Sequence, residues 1–333
     1  MEMEGLRLFE KVEDLATLSI YEQLISLPEL VGYSLGTGAD KVSKSKKICI
    51  FGMGESSIAG DMISAFANDN SEIPIPCISN GVLPGWIDED TDTILVSYNG
   101  KNKVINAIYD KLNGSVRNLY CIVNKGPLLD KCQNDGNIVI RIPDGLTSRT
   151  AMGFELGTLA TMIQAMGVCD ARDRLEEIIP VVKEYRDSLF TDVRIERLKQ
   201  KLHDTTIAIY GSPDFRPSFK RWKMSFNEDM GSPAFCGELP EFNHNEIVGW
   251  ANHNQDDEDL RIVFLRGKYK NEILTTIIDK TVDVLEESNR HVIDLKILGS
   301  DPFEKNLRAI LLGDFVSKAL KYEGRVPMSW RGL

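Results

Sequence analysis

At 333 residues the chain exceeds what one hydrophobic core usually covers, so we expect two domains. Its 42% hydrophobic and 27% charged residues are typical of soluble domains, and no run approaches the ~20 apolar residues of a membrane span. The net charge of −11 disfavours binding to nucleic acid or to an anionic membrane, and we expect neither as a partner. Because the first residues lack the features of a signal peptide, we expect a cytoplasmic protein.

Short apolar runs alternate with amphipathic stretches through the first half of the chain. The runs that predict strands are residues 47–51, 74–79, 93–97, 118–123 and 138–142. A long helical pattern follows them over residues 148–167. This alternation is typical of a mostly parallel sheet that is covered by helices on both faces.

The same pattern starts again after a charged helix over residues 173–190 and a polar stretch over 199–204. Here the predicted strands are residues 206–210, 261–265 and 291–295, and the predicted helices are 217–230, 271–287 and 302–322. We therefore expect an α/β protein with an N-terminal domain (1–170), a helical linker (171–204) and a C-terminal domain (205–333). In each domain a mostly parallel sheet is flanked by helices in three layers.

A glycine-rich turn, residues 52–61 with the sequence GMGESSIAGD, follows the first predicted strand and begins a helix. Backbone N–H groups at such a turn bind anions, but Ser57 stands where a dinucleotide-binding loop has its third glycine. Gly54 and the hydroxyls of Ser56 and Ser57 suit a lone phosphate or a sugar hydroxyl instead. The alternative is a tight strand-to-helix turn in which Ser56 is the N-cap.

A second polar turn, residues 97–102 with the sequence SYNGKN, follows the third predicted strand. Because the carboxyl ends of parallel strands share one edge of the sheet, Ser97, Asn99 and Asn102 can face the same ligand as the first turn. The alternative is an Asn-Gly turn selected for its backbone geometry alone.

Several motifs together resemble one family along nearly the whole chain. They are the two turns, Arg149-x-Ala151-x-Gly153, Arg221-Trp222-Lys223, Asn227-Glu228 and the segment PEFNHNE at residues 240–246. This set is similar to the bifunctional phosphoglucose/phosphomannose isomerases. The resemblance implies two sugar isomerase (SIS) domains and the interconversion of glucose 6-phosphate and mannose 6-phosphate with fructose 6-phosphate through an enediolate. It also implies a homodimer with shared active sites and no metal or organic cofactor.

The resemblance assigns roles to individual residues. Glu228 matches the catalytic base, and His244 matches the residue that opens the sugar ring and that comes from the partner subunit. Ser56 and Ser97 match phosphate-binding hydroxyls, and Arg149 matches the active-site arginine.

The helical pattern around Glu228 gives this role partial support of its own. Phe219, Trp222 and Phe226 form one apolar stripe, whereas Arg221, Met224 and Glu228 lie on another face, so the core does not require Glu228. Burial near the end of the helix would raise the pKa of Glu228 toward that of a general base. The alternatives are a solvated glutamate for Glu228 and a structural histidine for His244.

Four departures from the family fall at substrate positions. Glu55 stands where the family has glycine, Asn99 and Asn102 replace serine and threonine, and the tail at residues 326–333 has Met328 and no lysine. An inward Glu55 would repel a phosphate. Arg325, just before the tail, or Arg331 within it could replace the missing lysine. Two other functions therefore stay open: a non-catalytic or regulatory sugar-binding protein, and an isomerase for a different sugar.

Overall fold

The computed structural model describes residues 7–252, 259–268, 272–288 and 290–320. The chain forms two compact units that meet in sequence between Lys183 and Glu184. Each unit has a parallel sheet flanked by helices, which confirms the predicted α/β fold. The proposed role of the tail, residues 326–333, falls outside the described residues.

The first unit contains a five-stranded, wholly parallel sheet with the order β2-β1-β3-β4-β5. Its strands are β1 (Ile48–Gly52), β2 (Cys77–Ile78), β3 (Asp92–Ser97), β4 (Asn118–Val123) and β5 (Ile138–Arg141). All five were predicted, but β2 is shorter than the predicted 74–79. Pro74 and Pro76 lack the N–H group that a longer ladder would need.

Six helices accompany this sheet: α1 (Ile20–Ile25), α2 (Leu27–Ser34), α3 (Ile58–Asn70), α4 (Lys103–Leu112), α5 (Pro127–Asn134) and α6 (Met152–Ala165). Alternate residues of β1, β3 and β4 pack against α4 and α5 in one buried cluster. On the other face α6 packs against α2 and α3. A Cβ at Gly157 of α6 would overlap the Ser34 side chain, so this glycine permits the close approach of α2.

The boundary between the units lies inside α7 (Ala171–Leu189), which is followed by α8 (Val193–Leu202). These two helices occupy the segment predicted to be a helical linker. Our exact domain limits of 170 and 205 stay a prediction.

The second unit has a four-stranded parallel sheet with the order β7-β6-β8-β9. Its strands are β6 (Thr206–Gly211), β7 (Ala234–Glu238), β8 (Leu260–Arg266) and β9 (Val292–Lys296). Strand β7 was not predicted. It pairs only with β6, exposes Phe235 and contains Gly237, so it lacks the apolar run of a central strand.

The remaining helices are α9 (Arg216–Asp229), α10 (Glu246–Asn252), α11 (Glu272–Glu287) and α12 (Pro302–Ala319). None of the helices within the described ranges is long and apolar enough to cross a membrane. Helix α9 packs on α12, where Trp222 Nε1 donates a hydrogen bond to the Ala309 carbonyl at 2.7 Å. A Cβ at Gly313 would overlap the Trp222 indole, so a larger residue there would separate the two helices.

Arg221 corrects the predicted faces of α9. It does not share an exposed face with Glu228: it is 1% exposed and forms a 3.3 Å ion pair with Asp314 of α12, which is equally buried. The guanidinium therefore belongs to the α9–α12 interface, because a charge at this depth requires a partner.

We predict that Arg221→Met lowers the free energy of unfolding by about 3 to 5 kcal/mol, since it removes the guanidinium that pairs with the buried Asp314 carboxylate. Urea denaturation followed by circular dichroism measures this loss. As a control, Arg172→Met on α7 removes an exposed pair with Glu176 and should change stability by no more than about 1 kcal/mol. Equal stability of the two variants would contradict the structural role of Arg221.

Candidate active site

The strand order of the first sheet reverses between β1 and β3, the position at which open α/β sheets bind ligands. Because β2 and β3 lie on opposite sides of β1, the connections from β1 and β3 leave the sheet in opposite directions. Gly52 at the end of β1 pairs with Val96 of β3, so the two predicted polar turns begin side by side.

The first turn forms a single 3-10 turn, Gly54–Ser57, directly before α3. Gly54 has a φ of 57°, a conformation that favours glycine. The Ser57 hydroxyl donates to the Gly54 carbonyl at 2.9 Å, and Ser57 holds the capping position of α3 without a side-chain cap. The alternative that Ser56 is the N-cap is therefore wrong.

Ser56 turns instead toward a buried acid, Glu155, in the first turn of α6. Its Oγ is hydrogen-bonded to Glu155 Oε1 at 3.2 Å and accepts a long hydrogen bond of 3.5 Å from the Tyr98 N–H. Glu155 is completely buried, and its Oε2 has no hydrogen-bond partner among the described residues. Burial raises the pKa of Glu155 to about 8, and the nearby charge of Glu55 contributes to the increase. Glu155 is therefore largely a neutral acid at pH 7.

Glu55 lies on the same turn as Ser56 and is half-buried. Its Oε1 is shielded from solvent, and its charge is close enough to raise the pKa of Glu155. The sequence left open whether this carboxylate points inward or away. The effect on Glu155 indicates that its charge acts on the interior of the turn.

The second turn uses its two asparagines to fix the backbone. Asn99 Oδ1 accepts from the Lys101 N–H at 3.0 Å, and Asn102 Oδ1 accepts from the Ile105 N–H at 3.0 Å and caps α4. Gly100 between them has a φ of 62°, and a Cβ there would overlap the Lys125 carbonyl. The side-chain amide nitrogens of Asn99 and Asn102 donate to no described residue, and neither does the hydroxyl of buried Ser97. The turn thus has a structural role and still offers three donors.

Arg149 lies in a third loop that adjoins the second turn. The backbone N–H of Leu146 in this loop lies near the Tyr98 hydroxyl, where it opposes the increase of the Tyr98 pKa that burial causes. Gln23 of α1 holds the same loop, because it donates to the Gly145 carbonyl at 2.8 Å and accepts from Thr150 Oγ1 at 2.7 Å. Arg149, which is half-buried, is therefore carried on an anchored segment beside Tyr98.

Glu228 belongs to the second unit, in the last turn of α9. The neighbouring Asn227 fixes this end of the helix, since its Oδ1 accepts from the Ala234 N–H of β7 at 2.7 Å. Glu228 itself is exposed, so the burial considered in the sequence analysis does not occur in the single chain.

His244, also in the second unit, ends a firmly anchored 3-10 turn, Glu241–His244. Phe242 is completely buried, and Asn243 Nδ2 donates to Thr281 Oγ1 at 2.6 Å. Just after the turn, Glu246 accepts a 2.6 Å hydrogen bond from the Tyr210 hydroxyl. His244 is exposed in the middle of these contacts, so the fold presents its imidazole at the surface of the chain.

No group of three or more histidine, cysteine, aspartate or glutamate side chains in the described ranges is placed to hold a metal ion. The six cysteines are free thiols, and three of them are buried. These acids and thiols therefore form no metal centre within the described part of the chain.

Glu155 is the residue at this edge that the sequence analysis missed. The available signal was a single carboxylate in the otherwise uncharged, buried stretch of α6 from Met152 to Ile163. A lone acid on such a run requires a specific partner, which here is Ser56.

Comparisons with known proteins find similarity over most of the chain. Residues 192–323 match the family model of the bacterial phospho-glucose isomerase C-terminal SIS domain. The bifunctional phosphoglucose/phosphomannose isomerase of Caldicellulosiruptor bescii is 29% identical over 310 residues, which cover 90% of this chain and 91% of that protein. The protein of the same name from Aquifex aeolicus is 26% identical, over 84% of this chain and 85% of its own length.

A solved structure shares the fold. The tagatose-6-phosphate ketose/aldose isomerase of Escherichia coli superposes with a TM-score of 0.67 at 14% identity, over 92% of this chain and 94% of that one. Together with the curated relatives, it confirms what the sequence motifs predicted: the chain is similar over most of its length to the bifunctional phosphoglucose/phosphomannose isomerases and has their sugar isomerase fold.

Proposed function

We propose that this protein is an aldose–ketose isomerase that interconverts glucose 6-phosphate and mannose 6-phosphate with fructose 6-phosphate. The observation that carries the proposal is the convergence of Ser56, Ser97 and Tyr98 at the carboxyl edge of the first sheet. The similarity to curated isomerases along most of the chain supports the substrate class.

The phosphate group would bind at the two turns. The hydroxyls of Ser56 and Ser97 and the amide nitrogens of Asn99 and Asn102 supply hydrogen-bond donors. The amino end of α3 adds backbone N–H groups and the positive end of the helix dipole. Arg149, on its anchored loop, supplies the cation.

The reaction moves a proton between C1 and C2 of the open-chain sugar. One carboxylate can remove and return this proton through an enediolate, and we assign this role to Glu228. Ring opening comes first and needs an acid/base, which we assign to His244. Glucose 6-phosphate and mannose 6-phosphate differ only at C2, so the same base can convert both.

We further infer that the active form is a homodimer in which His244 serves the partner's site. In the single chain this histidine is exposed, although the residues around it are tightly held. An ordered, exposed acid/base is what a site completed by a second copy requires.

One observation favours a second candidate, a sugar-binding protein or isomerase that acts on a less anionic ligand. Glu55 places a carboxylate within electrostatic reach of the Ser56 turn, where the ligand phosphate would lie. At ~4 Å two like charges repel by about 1 to 4 kcal/mol, depending on the effective dielectric constant.

The primary test is turnover. We expect the protein to form fructose 6-phosphate from both glucose 6-phosphate and mannose 6-phosphate in a coupled assay, and Glu228→Gln to lower kcat by at least ~10²-fold because it removes the base. Glu286→Gln, the same change at an exposed helical glutamate of the second unit, is the control and should leave kcat unchanged. Inactivity of the wild-type protein on both sugars would refute the proposed function.

Subunit sharing has its own test, which mixes two inactive variants. If His244 serves the partner's site, co-refolded Glu228→Gln and His244→Ala chains form mixed dimers with one intact site each. Random pairing then restores about a quarter of the wild-type activity. If each chain builds its own site, the mixture stays as inactive as its components.

The two candidate ligand classes are separated by Glu55→Gln, which removes the charge and keeps the bulk. We expect this variant to bind glucose 6-phosphate about tenfold or more tightly at low salt, with a smaller gain at high salt, because exposed charges are screened over ~10 Å. Calorimetric titration measures the affinity at both salt concentrations. Unphosphorylated glucose is the neutral ligand, and Glu72→Gln is the control variant at an exposed position. Unchanged phosphosugar affinity would mean that Glu55 does not face the phosphate.

A further inference from the structure

Glu155 has no part in the proton transfer assigned above. It nevertheless contacts Ser56, one of the residues that we expect to bind the phosphate. It lies in the first turn of α6 and is completely buried, with Oε1 hydrogen-bonded to the Ser56 hydroxyl and Oε2 without a partner among the described residues. A buried carboxyl with an unsatisfied oxygen is costly, and such groups are concentrated at functional sites.

The Ser56–Glu155 contact has two hydrogen-bonding states. An ionised Glu155 can only accept, so the Ser56 hydroxyl must donate its hydrogen to Oε1. A neutral Glu155 can carry its proton on Oε1 and donate to Ser56 Oγ. Ser56 Oγ then accepts from Glu155 and from the Tyr98 N–H, and its own hydrogen is left for a ligand.

We propose that Glu155 is a positioning residue for the sugar phosphate: as a neutral acid it donates to Ser56 Oγ and so directs the Ser56 hydroxyl hydrogen toward the phosphate. When Glu155 is ionised, the Ser56 hydroxyl donates to Glu155 and is no longer available to the phosphate. The ionised Glu155 also adds a negative charge beside the turn that already carries Glu55. The inference rests on the proposed function, because it requires a phosphate at Ser56.

The charged and titratable groups around Glu155 come from each neighbouring element. The first turn supplies Glu55, and the second supplies Tyr98, whose pKa is raised by its own burial and by Asp144 and Glu155. Helix α3 carries the buried acid Asp61, and the loop before α6 carries Arg149. On α2, Glu29 pairs with Lys183 of α7 at 3.5 Å.

Burial is the main cause of the raised pKa of Glu155, and the charge of Glu55 adds to it. A bound phosphate dianion adds further negative charge and would raise this pKa again. Phosphate binding and protonation of Glu155 are therefore linked, and each favours the other.

The experiment measures the Kd of glucose 6-phosphate by calorimetry from pH 7 to 9.5, above the second pKa of a phosphate ester at about 6. We expect the wild-type protein to bind glucose 6-phosphate about tenfold or more weakly at pH 9.5 than at pH 7. This decrease corresponds to the loss of one hydrogen bond to a charged group. Glu155→Gln keeps the shape and cannot ionise, so its Kd should be constant over this range.

Proton uptake provides a second measurement that does not depend on the variant folding. Titrations of the wild-type protein near pH 8 in buffers of different ionisation enthalpy should reveal uptake of a fraction of a proton on binding. A flat wild-type pH profile, a slope retained in Glu155→Gln, or no proton uptake would each overturn the inference and leave the proposed function intact. No binding at any pH would instead refute the proposed phosphate site and this inference with it.

Discussion

The reversal of strand order at β1 is the constraint on which the candidate site depends. With β2 on one side and β3 on the other, the connections after β1 and β3 leave the sheet in opposite directions. The polar turns can therefore face a ligand while the rest of both strands stays completely buried. The backbone approach at Gly100, where no side chain fits, keeps the second turn close to the strand that follows it.

At the same edge of the sheet, hydrogen bonds hold the turns in place, and a buried acid, Glu155, lies beside the charge of Glu55. Tyr98 donates its backbone N–H to Ser56 of the first turn, and its side chain lies beside the Arg149 loop. Ser56 is in turn hydrogen-bonded to the acid Glu155 of α6. The raised pKa of Glu155 has a cost for stability. The unfolded chain loses this proton at a pH of about 4.3, whereas the folded protein keeps it until about pH 8. The stability contributed by the neutral acid is therefore present below about pH 4.3 and is lost as pH rises through about 8. A buried carboxyl that destabilises the folded protein at neutral pH is a feature expected at functional sites.

Sequence reasoning predicted the features that rest on local pattern. The buried strands of the first sheet are continuous apolar runs, and the two turns combine glycine with donor side chains, so both could be located from the sequence. What depends on tertiary contacts was missed or misplaced. Arg221 was placed with Glu228 on one face, since its partner Asp314 is 93 residues away in sequence. Ser56 was considered as a cap because its true partner, Glu155, is 99 residues away. Strand β7 was missed since an edge strand that pairs on one side needs no apolar run.

The central claim is that the carboxyl edge of the first sheet binds the phosphate of a hexose phosphate. A crystal structure of the protein with glucose 6-phosphate bound would test it most directly. The account predicts phosphate oxygens within about 3.2 Å of Ser56 Oγ and Ser97 Oγ. A phosphate seated on any other part of the chain, with both hydroxyls uncontacted, would contradict it.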